Sequence, residues 1–117
     1  MTTSAKVLFV DYGTTSQVAA LIKKDLGDEA ATFHCQSQNL TPLFLSETGP
    51  DCLIFALFGP ALDAYQMIAL VMQLNYRGAL LVIAPALGKP AMVERELRAL
   101  GPGARLTLVS LGTPQPE

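Results

Sequence analysis

The sequence predicts an α/β domain in which helices cover both faces of a five-stranded parallel sheet. Three runs of apolar residues, KVLFV, CLIFALF and ALLVIA, have the length of strands that are buried on both faces. Segments with apolar residues at helical spacing lie between these runs, so strands and helices alternate along the chain. This alternation favours right-handed crossovers and therefore a doubly wound parallel sheet.

The first half of the chain supplies two strands and two helices. The first strand covers residues 6–10, and apolar residues on one stripe predict a helix over residues 16–27. ATFHCQS, residues 31–37, is a more amphipathic second strand. A short helix follows it, with Thr41 as the N-cap and Pro42 in the first turn. Two strand-helix units therefore precede the central strand.

The second half continues the alternation. The third strand covers residues 52–58, the fourth covers residues 79–84, and RLTLVSL, residues 105–111, is the fifth. A helix is predicted between residues 62 and 75, and another begins near Pro90. We expect four apolar side chains of this last helix to face inward, namely Met92, Val93, Leu97 and Leu100. Glu94 and Arg98 are spaced as an exposed i,i+4 ion pair.

The helix between residues 62 and 75 is apolar around most of its circumference. A helix of this kind is normally buried on more than one side. One face packs on the sheet, and we expect the other to contact a protein partner through Met67, Leu70, Val71 and Met72. Coverage by neighbouring helices of the same chain is the alternative.

Only six residues follow Leu111, and two of them are prolines, so no last helix is predicted. One face of the sheet is then incompletely covered. A second copy of the chain, making a homodimer, or another protein would cover it; excision from a longer chain is a third explanation. We assign residues 1–112 to one domain and residues 113–117 to a short tail.

Composition excludes several classes of partner. The 117 residues are 50% hydrophobic and 15% charged, against about 25% charged in an average soluble domain. The net charge is −2 and no basic run is present, so neither nucleic acid nor an anionic membrane is an expected partner. Cys35 and Cys52 lack the spacing of a zinc site and are expected to be reduced thiols. The N-terminal residues do not resemble a signal peptide, so the expected location is cytoplasmic.

Function in such sheets is located where the strands end at their carboxyl edge. The residues at these ends include Asp11, Tyr12, Ala56, Ala84 and Ser110. Asp11 offers one carboxylate, and its expected role is to cap the first helix or bind loop amides. His34 has no partner suggested by spacing, so we expect it to be structural.

Three segments, KVLFVDY, PDCLIFALFGPALDA and LNYRGALLVIAP, resemble the receiver domains of bacterial two-component response regulators. The resemblance extends over nearly the whole chain. It implies the strand order 2-1-3-4-5 shared by CheY-like and flavodoxin-like folds, here with the last helix missing. It also implies a role in signalling through a protein partner such as a kinase or another regulator.

The residues that carry phosphorylation in that family are absent at the matching positions. Of the paired acids that hold magnesium only Asp11 remains, because Tyr12 occupies the second position. The phosphate-accepting aspartate falls on Ala56, the Thr or Ser on Ala84, and the Lys on Ser110. Aspartyl phosphorylation needs a carboxylate nucleophile and a bridging divalent ion. We therefore expect a pseudo-receiver without enzymatic activity, metal or cofactor.

A second interpretation of the first loop is flavodoxin-like. YGTTS, residues 12–16, resembles the small hydroxyl-bearing loop that wraps a flavin phosphate through backbone amides. The alternative function is therefore binding of a small molecule or a phosphate group. The lack of a Gly-Asn-Thr ending, the absence of tryptophan and the short chain argue against a flavin. A yellow purified protein would favour it.

Overall fold

Five parallel strands form one sheet in the computed structural model, which describes residues 5–12, 20, 24, 30–59, 61–85, 88–101 and 105–110. The strands are β1 (Lys6–Val10), β2 (Ala31–Cys35), β3 (Cys52–Ala56), β4 (Ala79–Ala84) and β5 (Arg105–Ser110). Their spatial order is β2-β1-β3-β4-β5, and every neighbouring pair is parallel. The predicted fold class and strand order are confirmed.

Three α-helices are defined within the described residues, together with a short 3-10 helix at Ser37–Asn39. The α-helices are α1 (Pro42–Thr48), α2 (Ala64–Gln73) and α3 (Pro90–Leu100). Ala20 and Lys24 are helical, but the other residues of the helix predicted over residues 16–27 lie outside the described part of the chain. Residues 111–117 also lie outside it, and with them the predicted absence of a last helix.

Side-chain caps fix where two of these helices begin. Thr41 accepts a hydrogen bond at Oγ1 from the N–H of Phe44 at 3.1 Å, which confirms the predicted N-cap of α1. Asp63 accepts one at Oδ1 from the N–H of Gln66 at 2.9 Å, and Gln66 Oε1 accepts one from the N–H of Asp63. This capping box places Asp63 outside α2, so the helix begins later than predicted.

Alternate residues along the strands point to opposite faces of the sheet and form two separate buried clusters. The larger cluster includes Leu8, Leu53, Val82 and Leu106, and α1, α2 and α3 all contribute side chains to it. The second cluster, on the other face, contains Val7, Phe9, Cys52, Ile54 and Ile83. The three described α-helices therefore cover one face of the sheet.

α3 buries a narrower stripe than its sequence predicted. Leu97 is fully buried and Val93 is half-buried, as expected. Met92 and Leu100 are 51% and 43% exposed, so the prediction that they face inward is wrong. Met92 lies five residues before Leu97 and hence about 140° away around the helix, while Leu100 is the last helical residue. No helix among the described residues has the length and hydropathy needed to span a membrane.

Candidate functional site

The strand ends bring the predicted pocket residues to one edge of the sheet. In the strand register Ala56 pairs with Ile83, and Ala84 pairs with Ser110. The chain continues directly from β1 into Asp11 and Tyr12. Residues from four strands therefore meet at this carboxyl edge, where open α/β sheets carry their sites.

Asp11 is fixed by two hydrogen bonds across the loop that follows β2. Its backbone N–H donates to the carbonyl oxygen of Cys35 at 2.9 Å, and its Oδ1 accepts from the N–H of Ser37 at 3.0 Å. Ser37 is buried and begins the 3-10 helix, so this carboxylate satisfies an amide that has no helical partner. Binding a loop amide is one of the two structural roles expected for Asp11.

The second carboxylate oxygen of Asp11 lacks a hydrogen bond within the described part of the chain. Asp11 Oδ2 is buried and has no hydrogen-bond partner among the described residues. The backbone of Asp11 is also left-handed, with φ at 53°, a conformation that Asn and Asp tolerate better than other side chains. An unpaired buried acceptor and a strained φ both cost stability. Asp11 is therefore constrained both in its backbone and in its side chain.

Tyr12 follows Asp11 at the end of β1 and is held by ring stacking. Its ring lies parallel to that of Phe9, with centroids 6.3 Å apart and planes at 7°. The ring of Phe9 stacks in turn on His34 at 4.9 Å. Tyr12 and His34 thus flank a buried aromatic side chain, which agrees with packing roles for both.

A small apolar pocket lies at this carboxyl edge of the sheet. It has a volume of about 210 Å³ and is lined by Tyr12, Ala56, Phe58, Ile83, Ala84 and Pro85. Ala56 and Ala84 present methyl groups, and Ala84 is buried. Among these lining side chains the phenol of Tyr12 carries the only heteroatom. None of the described residues that line the pocket carries a carboxylate that could accept a phosphoryl group.

The loop from β3 to α2 forms the rim of this pocket. β3 ends at Ala56 and not at Phe58 as predicted, because the carbonyl of Leu57 accepts from the N–H of Ala64 at 3.0 Å and turns the chain into α2. A Cβ at Gly59 would collide with the carbonyl oxygen of Leu62, so the turn requires glycine. Phe58 projects from it and is 69% exposed.

Both cysteines are free thiols of low reactivity. Burial, and to a lesser extent the charge of Asp11, raises the pKa of the Cys35 thiol to about 11. Burial also raises the pKa of the Cys52 thiol to about 11. Because the thiolate is the nucleophile, these thiols are poorly reactive near neutral pH. Neither thiol is therefore activated as a nucleophile.

Within the described ranges, no group of three or more His, Cys, Asp or Glu side chains is placed to hold a metal ion. Of the YGTTS loop only Tyr12 is described, so the flavin-phosphate interpretation falls on residues 13–16, outside the described part. A larger pocket of about 390 Å³ lies at the opposite edge of the sheet, beside α1, Tyr76 and Arg77. Burial raises the pKa of the Tyr76 phenol, whose Oη donates to the carbonyl of Ala79.

The predicted interface on α2 is wrong for two of its four residues. Met67 and Val71 are 1% and 0% exposed and belong to the larger core cluster. Leu70 and Met72 are half-buried and pack against the same cluster. α2 contacts both β3 and α3, so its apolar circumference is covered largely by the same chain. This is the alternative that the sequence left open.

Exposed apolar side chains lie instead around the helix starts at the carboxyl edge. Phe58 precedes α2, Tyr65 lies in the first turn of α2, and Met92 lies in the first turn of α3. Tyr65 and Met92 are 39% and 51% exposed. The Tyr65 hydroxyl donates to Glu96 Oε1 at 3.0 Å, which ties the two helices together. We call Phe58, Tyr65 and Met92 the Phe58 surface. It was not predicted from the sequence, because exposure depends on how the helices pack.

The face of the sheet opposite the three helices is only partly covered beside the β5 edge. Leu81 and Val109 belong to the border of the second cluster and are half-buried. Thr107, the register partner of Leu81, is exposed. Within the described residues, this corner of the sheet therefore contacts solvent.

Two solved structures with a similar fold are described as signal receiver domains. One, the signal receiver domain of a protein from Vibrio parahaemolyticus named as a Luxo repressor, is 16% identical with a TM-score of 0.61, over 97% of this chain and 82% of that one. Another, from a DNA-binding response regulator protein (merR) of Colwellia psychrerythraea 34H, is 16% identical with a TM-score of 0.54, over 96% and 88%. At this identity the similarity establishes the fold. No protein-family model matches the sequence, and neither does any curated protein.

Proposed function

We propose that this chain is a receiver-like signalling domain that is not phosphorylated and acts through protein contact. The solved structures that share its fold are named as signal receiver domains, and we extend a signalling role to this chain from them. We place the domain in the cytoplasm, with a kinase or another regulator as partner and with neither nucleic acid nor a membrane as a target. No enzymatic step is assigned to it.

The observation that carries the proposal is the apolar lining of the carboxyl-edge pocket. Phosphoryl transfer to an aspartate needs a carboxylate nucleophile and a divalent cation that bridges it to the phosphoryl oxygens. Ala56 and Ala84 line the pocket with methyl groups. The nearby Asp11 commits Oδ1 to the Ser37 amide, and Tyr12 stands where a second acid would complete a magnesium site.

Without phosphorylation, the state of the domain is set by what binds it. A partner that binds one conformation better than another shifts the population by that difference in affinity. The Phe58 surface, made by Phe58, Tyr65 and Met92, is our candidate for this contact because aromatic and methionine side chains are enriched at interfaces. It borders the pocket, so the altered site and the contact surface lie at one edge.

A homodimer is the second part of the proposal. The partly covered corner presents the half-buried side chains of Leu81 and Val109 beside the exposed Thr107, and the chain is only 15% charged. A second copy packed on this corner would remove apolar surface from water. Sedimentation at micromolar concentrations tests this part alone, since a monomer would eliminate the dimer and leave the contact through the Phe58 surface standing.

The experiment that tests the inert pocket is incubation with acetyl phosphate and magnesium, followed by intact mass spectrometry. We expect no gain of a phosphoryl group, while a receiver domain with a complete acidic set gains one in the same mixture. A phosphoryl gain that the D11N or D51N variant abolishes would overturn the proposal. Asp51 is the useful second variant because its carboxylate lies at the opposite edge, where it accepts from the N–H of Lys6 at 2.8 Å.

A further inference from the structure

The outer edge of β5 is closed by side chains of the neighbouring helix. β5 is the last strand of the order β2-β1-β3-β4-β5, so among the described strands only β4 pairs with it, on one side. In a strand the peptide groups of alternate residues point to opposite sides. An edge strand therefore presents a row of N–H and C=O groups that another strand can pair with.

Two of these outward groups are already bound. The N–H of Leu108 donates to Glu94 Oε2 at 2.9 Å. The carbonyl oxygen of Leu106 accepts from Arg98 twice, from Nε at 3.3 Å and from Nη2 at 3.0 Å. Both side chains come from α3, and Arg98 Nη2 lies 3.5 Å from Glu94 Oε2. The ion pair predicted from the i,i+4 spacing is thus also bound to a strand.

Glu94 and Arg98 supply the hydrogen-bonding groups that an added strand would supply. An added strand would offer a carbonyl oxygen to the N–H of Leu108 and an N–H to the carbonyl of Leu106. Glu94 supplies the acceptor and Arg98 supplies the donors at the same two positions. Hydrogen bonds with a charged partner are stronger than those between neutral groups, so the side chains compete well with a neutral backbone.

We propose that Glu94 and Arg98 form a clasp that closes the β5 edge to strand addition, and that the strand kept out is β5 of a second copy. The edge sequence RLTLVS favours strands, since it contains the β-branched residues Thr107 and Val109. Two identical edges pair around a two-fold axis, which gives a closed dimer. The low charge of the chain leaves little repulsion against such pairing. This proposal does not depend on the role assigned to the pocket.

The test compares the E94A/R98A double variant with an E47A/R95A control in the full chain. Both variants lose one acid and one base, and Glu47 and Arg95 are exposed. Sedimentation velocity over a concentration series and amide hydrogen exchange of Leu108 are measured, with the wild-type protein as the reference. A dimer that forms through another surface is therefore present in all three samples.

In dilute solution we expect Leu108 to exchange about tenfold faster in the E94A/R98A variant than in the wild type. On concentration the variant should double in mass relative to the wild type and regain protection at Leu108. The E47A/R95A control should match the wild type in both measurements. Unchanged mass at every concentration would overturn the proposal, and so would growth that leaves Leu108 unprotected.

R98M is a milder variant that serves if the double variant does not fold. It keeps an unbranched side chain at this position and removes the donors to the Leu106 carbonyl. The proposal predicts association of R98M at higher concentration than the double variant, through the same edge. An R98M protein that stays at the wild-type mass in this series contradicts it.

Discussion

The carboxylate of Asp11 accepts a hydrogen bond from the N–H of Ser37, with 3.0 Å between Oδ1 and the nitrogen. The two residues are 26 positions apart, and the bond joins the end of β1 to the 3-10 helix after β2. An acid that would contribute to a metal site in a receiver thus has a structural partner in this chain. This relationship makes the role of Asp11 testable by stability as well as by chemistry.

Substitution of Asp11 should separate its structural role from its charge. D11A leaves the buried Ser37 N–H without an acceptor and places alanine at a left-handed φ, so we expect a loss of about 1–3 kcal/mol in the free energy of unfolding. D11N keeps an acceptor oxygen and tolerates this φ, so its loss should be smaller. Urea unfolding measures both. Equal stabilities of D11A and D11N would contradict the assignment.

Gly59 and Gly88 form a matched pair for testing the loop at the pocket rim. A Cβ at Gly59 meets the carbonyl oxygen of Leu62, whereas a Cβ at Gly88 meets nothing within 4 Å. We expect G59A to lower the free energy of unfolding by about 1–3 kcal/mol, because the loop must shift. G88A should be neutral within about 0.5 kcal/mol. Similar urea midpoints for the two variants would show that the turn is not tight.

The buried thiols predict a loss of stability at high pH. The pKa of Cys35 and that of Cys52 are about 11 in the folded protein, against an ordinary value of 9.0. The folded chain therefore holds protons that the unfolded chain has released. Stability is fully present below pH 9.0 and falls as the pH rises through about 11.

Thiolate ultraviolet absorbance, followed during a pH titration, checks this prediction directly. The folded protein should show both thiols titrating later than the same chain in urea, and the C35S and C52A variants assign each step. Coincident titration curves in the two conditions would mean that neither thiol is buried as described.

Substitution of Phe58 should weaken binding of the protein partner, because Phe58 is the most exposed side chain of the Phe58 surface. F58S should weaken capture of the proposed partner from a lysate of the native cells by about tenfold or more, because exposed aromatic residues often act as binding hot spots. L43S is the matched control, since Leu43 on α1 is 67% exposed against 69% for Phe58. Equal capture by the two variants would remove this surface from the proposal.

The sequence predicted the sheet well because strand identity follows from local patterns. β1 and β4 have the predicted bounds, and Thr41 caps α1 as expected. Apolar runs between turn-forming residues hold this information within a few positions. The shorter β3 was not predictable in the same way, because the Leu57 carbonyl turns to the start of α2 only in the folded chain.

Burial within helices was the weaker part of the prediction. Met67 and Val71 were expected at an interface, yet both lie in the core, while Met92 was expected inside and is exposed. A sequence shows which side of a helix is apolar, but the neighbours on each side are set by tertiary packing. The bonds of Glu94 to β5 escaped prediction for the same reason, although its pairing with Arg98 did not.

The proposal that the pocket does not accept a phosphoryl group is tested most directly by a nuclear magnetic resonance titration with magnesium and beryllium fluoride, a phosphoryl mimic. The backbone amides of Asp11, Ala56 and Ala84 report on the strand ends that form the pocket. We predict no saturable, magnesium-dependent shift of these three amides, because the methyl side chain of Ala56 cannot bind the mimic as a carboxylate would. Saturable shifts at all three that require both reagents would contradict the account.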